Sequence, residues 1–83
     1  MLKYEVMFKC SNGERKHVAF VEAEPDTARK EVVRIINEFC DERHFNIPYL
    51  RIWNTSGETW FDVGSWTEFF VVSPELPWGG EEE

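Results

Sequence analysis

The N-terminal segment constrains the fold of this chain most strongly, because it combines strict alternation with a turn dipeptide. Residues 2–10 (LKYEVMFKC) alternate apolar and polar side chains, a period of two that is typical of a half-buried β-strand. Asn12-Gly13 follows, and this dipeptide favours a two-residue type I′ turn, since both of its positions require a positive φ. Residues 15–24 (RKHVAFVEAE) then run back as a second strand. The segment therefore predicts an antiparallel β-hairpin.

The register of this hairpin assigns its side chains to two faces. With a two-residue turn, Phe8 is expected to face His17 and Val6 to face Ala19. This side of the hairpin carries most of the apolar residues, so we expect it to cover the core. The other side receives Met7, Val18 and Phe20.

A helix is predicted to follow the hairpin. Pro25 suits the first turn of a helix, where its missing N–H is not needed. Residues 26–43 place their apolar side chains on one stripe and their charged side chains on the opposite side. The members of this stripe are Ala28, Val32, Ile35, Ile36, Phe39 and Cys40. The helix is expected to end near Arg43 or His44, because Pro48 lies just beyond.

Further strands are expected at residues 48–54, 59–63 and 68–72, separated by the turn TSGE and by Gly64-Ser65. The resulting order, ββαββ with a fifth strand at the end, predicts an α+β fold. We expect an antiparallel sheet of four or five strands, in the order 2-1-3-4, with one helix packed on one face. Residues 1–73 form this single domain. Residues 74–83, with two prolines, two glycines and four acids, are expected to form a flexible acidic tail.

The charge balance limits the classes of partner. The chain has 16 acidic and 9 basic residues and a net charge of −7, which argues against binding a phosphate backbone or an anionic membrane surface. No apolar run approaches the ~20 residues of a membrane span. The alternating N-terminus does not have the form of a signal peptide. We therefore expect a cytoplasmic protein that binds neither nucleic acid nor a membrane.

Two cysteines and two histidines raise the alternative of a metal site. Cys10, His17, Cys40 and His44 fall toward the same end of the predicted sheet, because the helix runs back along it for ~27 Å. Structural zinc sites use ligand pairs at closer spacing than this chain offers. A Cys10–Cys40 disulfide is a second alternative, but free core thiols fit a cytosolic chain better. We therefore expect no metal and no other cofactor.

Catalytic motifs are missing from the chain. It contains no G-x-S-x-G, no H-E-x-x-H and no phosphate-binding loop. Ser65 follows Gly64, but no motif places a His-Asp pair to activate it. A single helix packed on a sheet rarely supplies the concave pocket of an active site. We expect a protein that is not an enzyme, with a small metal-binding or enzymatic domain as the alternative from another class.

The aromatic content indicates a contact surface. Aromatic residues make up 16% of the chain, and the alternation places several on the sheet face away from the helix, here called the open face. Such a face is normally polar, so a large apolar patch on it indicates an interface. The side chains expected there are Met7, Val18, Phe20, Tyr49, Trp53 and Trp60. The candidate partner-binding residues are Tyr49, Trp53, Trp60, Phe20, Met7 and Trp66.

The patch could also be covered by the chain itself or by a second copy of it. Residues 64–78, which include Trp66 and Trp78, would cover the open face if they folded back over it. A second copy of the chain would cover it in a homodimer. In either case the aromatic side chains would be buried by something other than a foreign protein.

Residues 60–72 (WFDVGSWTEFFVV) carry a family likeness. They resemble a C-terminal segment of small uncharacterised phage and prophage proteins, with the form aromatic-Asp-hydrophobic-Gly-Ser-aromatic/His-x-x-Phe. The matching positions are Asp62, Gly64, Ser65 and Phe69. The resemblance implies an accessory factor that binds and blocks a host enzyme or defence complex, and it implies no functional residues.

The favoured interpretation is a small non-catalytic protein-interaction module, a phage accessory protein that binds a host protein through its aromatic sheet face. The alternative is an acidic inhibitor of a nucleic-acid-binding enzyme or defence complex that imitates DNA, as anti-CRISPR proteins do. Basic residues scattered along the predicted helix speak against such charge mimicry.

Overall fold

The computed structural model describes residues 2–65 and 67–76. Within them the elements are β1 (Leu2–Lys9), β2 (Arg15–Ala23), α1 (Pro25–Glu42), β3 (Arg51–Thr55), β4 (Glu58–Asp62) and β5 (Phe69–Ser73). The five strands form one antiparallel sheet, and α1 packs against one of its faces. The predicted α+β class, with one helix and an antiparallel sheet, is confirmed.

The predicted strand order 2-1-3-4 is wrong, because the observed order is β2-β1-β5-β4-β3. β5 occupies the centre of the sheet, where Phe70, Val71 and Val72 are all fully buried. Its uninterrupted run of apolar residues suits a central strand, which has a neighbouring strand on each side. β3 carries polar residues such as Arg51 and Asn54, and it lies at the edge instead.

The hairpin of β1 and β2 keeps the predicted register over half of its length and then shifts by one residue. The first five residues of β1 pair with the last five of β2 as predicted. Beyond this point Met7 pairs with His17, and Phe8 pairs with Lys16 rather than with His17. Val18 is therefore an extra residue, and the strand forms a β-bulge there.

The turn of the hairpin explains the shift. Cys10 N donates to Glu14 O at 2.7 Å, and Gly13 N donates to Cys10 O at 2.9 Å, so the loop consists of residues 11–13. Gly13 has the predicted positive φ, at 93°, but Asn12 does not have one. The predicted type I′ turn is therefore wrong. The observed loop belongs to the three-residue class, in which only the last residue needs a positive φ.

α1 follows the predicted boundaries closely. It begins at Pro25 and ends at Glu42, one residue short of the predicted end. His44, just beyond it, has a φ of 57°. The described part of the chain contains no helix with the length and apolarity that a membrane crossing requires.

The core lies between α1 and the sheet. The helix contributes the buried side chains of Ala28, Val32, Ile36 and Cys40, which belong to the predicted stripe. The main sheet residues that meet them are Tyr4, Val6, Val21, Phe61, Phe70 and Val72. Phe8, Phe39 and Phe70 close one end of this core, with ring centroids 5.2–5.3 Å apart.

The core extends past the predicted domain boundary at residue 73. Leu76 is only 1% exposed, and its N–H donates to Thr59 Oγ1 at 2.8 Å. Residues 74–76 therefore reach the body of the domain, although the sequence assigned them to the tail. Residues 77–83 of the predicted tail, which include Trp78, lie outside the described residues.

Candidate functional site

The open face carries an aromatic cluster, here defined as Trp53, Trp60 and Phe69. The register of the sheet brings them together, since Trp53 pairs with Trp60 across β3 and β4. The two indole rings are stacked, with centroids 6.2 Å apart and planes 28° apart. The ring of Phe69 lies 6.1 Å from that of Trp53 and 5.7 Å from that of Trp60. The structure thus places two of the candidate residues in one cluster.

The aromatic cluster stands beside a buried position at the centre of the open face. Val71 pairs with Met7 on one side and with Trp60 on the other. It is fully buried, although it does not belong to the core beneath α1. Met7 and the three members of the cluster are half-buried. The open face is therefore a partly shielded aromatic surface rather than a row of fully exposed rings.

Two cations border the aromatic cluster. The guanidinium carbon of Arg15 lies 5.7 Å from the ring centroid of Trp60, and Lys9 Nζ lies 5.9 Å from it. Arg15 also donates to Glu58 Oε2 at 2.6 Å. This hydrogen bond holds the pKa of the Glu58 carboxyl below its usual value, despite the opposing effect of burial. The ion pair fixes Arg15 beside the indole, where its charge faces the electron-rich ring.

Phe20 is a further apolar side chain on the open face, away from the aromatic cluster. Its side chain is 56% exposed. Lys3 Nζ lies 4.5 Å from its ring centroid, and the imidazole of His17 lies 4.6 Å from it. His17 Nδ1 and Glu5 Oε2 are 2.9 Å apart. His17 reaches this face because the bulge at Val18 reverses the side on which it was predicted to lie.

Three other residues were predicted to contribute to the open face, namely Val18, Tyr49 and Trp66. Val18 packs against the core beneath α1, so its predicted place on the open face is wrong. Tyr49 was predicted within a strand, but it precedes β3 in the chain and is 51% exposed. Trp66 lies outside the described residues.

Phe69 belongs to the aromatic cluster, but sequence reasoning did not place it there. The signal for it was the run FFVV in β5. Four consecutive apolar residues in a strand place apolar side chains on both faces of the sheet. Two of the four, Phe69 and Val71, therefore lie on the open face.

The candidate metal ligands do not converge. His17 lies on the open face, whereas Cys40 is buried in the core beneath α1. Among residues 2–65 and 67–76, no group of three or more His, Cys, Asp or Glu side chains is placed to hold a metal ion. Cys10 and Cys40 are free thiols. Burial raises the pKa of the Cys40 thiol, and the nearby charge of Arg43 opposes this only in part.

Asp62, Gly64 and Ser65 lie at the start of the connection between β4 and β5. Gly64 N donates to Asp62 Oδ1 at 3.0 Å. Gly64 has a φ of 94°, and a Cβ at this position would lie 2.4 Å from Pro48 Cγ. Ser65 Oγ donates to Glu68 Oε1 at 3.4 Å. These contacts stabilise the start of the connection between β4 and β5.

The open face is electrically balanced, although the chain as a whole is acidic. Strand pairing places four cations and four carboxylates on it, namely Lys3, Lys9, Arg15, Arg51, Glu5, Glu22, Glu58 and Asp62. The net charge of −7 therefore resides elsewhere in the chain.

Comparison of the chain with protein-family models, curated proteins and solved structures gives no match.

Proposed function

We propose that this protein is a small non-catalytic interaction module that binds another protein through its open face. The observation that carries the proposal is the aromatic cluster of Trp53, Trp60 and Phe69 on a face without net charge. Protein interfaces are enriched in Trp, Phe and Arg, and charged residues are depleted at their centre.

The arrangement of the cluster suits a binding hot spot. Trp53 belongs to the edge strand β3, so a partner can approach its ring from the side as well as from above. Its stacking on Trp60 holds both rings in place before a partner arrives, which lowers the entropy cost of binding. A hot-spot aromatic of this kind typically contributes at least ~2 kcal/mol to binding.

The charge distribution favours this proposal over imitation of DNA. A DNA mimic needs a dense array of unpaired carboxylates, whereas on the open face Arg15 pairs with Glu58 and Arg51 Nε lies 3.6 Å from Asp62 Oδ2. On the helix, Arg34 bridges Glu31 and Glu38 at 3.1 and 2.9 Å. Binding through the open face is therefore expected to weaken only slightly as salt is added, whereas charge mimicry would weaken steeply.

The proposed class of partner rests on the resemblance of residues 60–72 to phage and prophage proteins. An accessory protein of a phage acts on its bacterial host, so a host protein is the partner to test first. The self-associating alternative, a homodimer through the open face, uses the same surface and is tested with the same variants.

Affinity capture with matched variants tests the proposal. Immobilised wild type, the variant Trp53→Ala and the control variant Arg34→Gln are incubated with bacterial lysate. The bound proteins are then quantified by mass spectrometry. We expect a protein that Trp53→Ala loses and Arg34→Gln retains. Capture that Trp53→Ala leaves unchanged would refute the proposal. Sedimentation of the pure protein covers the homodimer, since a dimer that Trp53→Ala dissociates would identify the partner as a second copy.

A further inference from the structure

A second feature, on the opposite side of the sheet from the aromatic cluster, is a small cavity near the end of α1. It has a volume of ≈ 150 Å³, and apolar side chains form most of its wall. Six of its lining residues are Phe8, Phe39, Cys40, Phe45, Val63 and Phe70. A dry apolar cavity of about 150 Å³ is large enough to take a benzene ring. Burial raises the pKa of the Cys40 thiol, so this part of the wall stays uncharged at neutral pH.

Two opposite charges line the same cavity. Arg43 stacks on the wall, with its guanidinium carbon 3.7 Å from the ring centroid of Phe39. Glu68 accepts a hydrogen bond from Ser65 at 3.4 Å. Within the part of the chain that the structure describes, neither Arg43 nor Glu68 forms an ion pair with another side chain. The cavity thus combines an apolar interior with one cation and one carboxylate, neither of which forms an ion pair among the described residues.

We propose that this cavity binds a free apolar amino acid, with the side chain inside, the carboxylate at Arg43 and the ammonium group at Glu68. Charge complementarity carries the choice of ligand. A neutral hydrocarbon would leave both charges unused, and an apolar acid or amine would satisfy only one of them. This site is independent of the open face, because it lies on the α1 side of the sheet.

The ligand requirement can be tested by titrating the isotope-labelled protein and following its amide chemical shifts. The probes are L-phenylalanine, phenylacetate, phenethylamine and glycine, which vary the ring and the two charges separately. Phenylalanine is expected to bind with a dissociation constant on the order of 1 mM, as its small size implies. It should shift the amides of Val63, Ser65 and Glu68. Phenylacetate and phenethylamine should bind about fivefold more weakly, and glycine should not bind.

Two surface variants assign the charges to their residues. Arg43→Gln should remove the advantage of phenylalanine over phenethylamine, and Glu68→Gln should remove its advantage over phenylacetate. Arg34→Gln, on α1 but away from the cavity, should change neither ratio. All three positions are near the surface, and the amide spectrum of each variant shows directly whether it is folded.

Two results would contradict the proposed amino-acid site. The proposal is overturned if saturating phenylalanine leaves the amides of residues 63–65 unshifted. It is also overturned if phenylalanine binds as tightly to both variants as to the wild type, because the charges of Arg43 and Glu68 would then contribute nothing to binding. Failure here leaves the open-face proposal intact, because capture through Trp53 does not involve this cavity.

Discussion

At the scale of single residues, Gly64 is the position that the fold constrains most clearly. Its φ of 94° is one that L side chains rarely adopt. Its α-carbon also lies so close to Pro48 that a Cβ would approach Pro48 Cγ to 2.4 Å. The sequence indicated a break at Gly64-Ser65, but it could not show the second constraint, because Pro48 comes from a distant part of the chain.

Gly64→Ala is expected to destabilise the protein more than Gly13→Ala. Gly13 has nearly the same φ, 93°, but a Cβ there would have nothing within 4 Å. Gly13→Ala should therefore cost only the backbone term of about 1–2 kcal/mol. Gly64→Ala should cost at least ~1 kcal/mol more, because Pro48 must also move. Chemical denaturation of both variants measures the difference, and equal losses would show that Pro48 is not in close contact.

The residues of the candidate site could be predicted only in part. Alternation within β3 and β4 correctly put Trp53 and Trp60 on one face, because a strand repeats every two residues. The same reasoning misplaced Val18 and His17, since one extra residue in a strand exchanges the faces of the side chains beyond it. A bulge leaves no mark in the apolar pattern until the partner strand is known.

At the scale of secondary-structure elements, local signals were reliable and long-range ones were not. The helix, the first hairpin and all five strands follow from periodicity and turn residues. Asn12-Gly13 fits both a two-residue and a three-residue loop, because each needs a positive φ at the glycine. β1 pairs with β5, which lies near the other end of the described chain. No turn connects these two strands directly, so the local sequence carries no signal for their pairing.

Val18→Ala tests the bulge. Since Val18 packs against the core beneath α1, the change should lower the free energy of unfolding by about 1 kcal/mol. Nuclear Overhauser contacts between the Val18 methyl groups and the ring of Phe39 provide a direct check, because both residues line one pocket on the α1 side. An unchanged stability, together with contacts from Val18 to Met7 instead, would restore the register without a bulge.

At the scale of the whole molecule, the two faces of the sheet differ in burial and in charge. The face beneath α1 holds the main core, where Tyr4, Phe61 and Phe70 are fully buried. The open face holds the half-buried aromatic cluster and equal numbers of positive and negative side chains. A chain of 83 residues buries a modest core, and the proposed function assigns the partner to the face that contributes less to that core.

The most direct test of this division compares the unfolding free energies of Trp53→Ala and Phe61→Ala. Phe61 is fully buried in the core, so its truncation should cost about 3–5 kcal/mol. Trp53 is half-buried on the edge strand, and its loss should cost only about 1–2 kcal/mol and leave a cooperatively folded protein. If Trp53→Ala is as damaging as Phe61→Ala, the aromatic cluster is a second core that the fold requires, and the open face is not a contact surface.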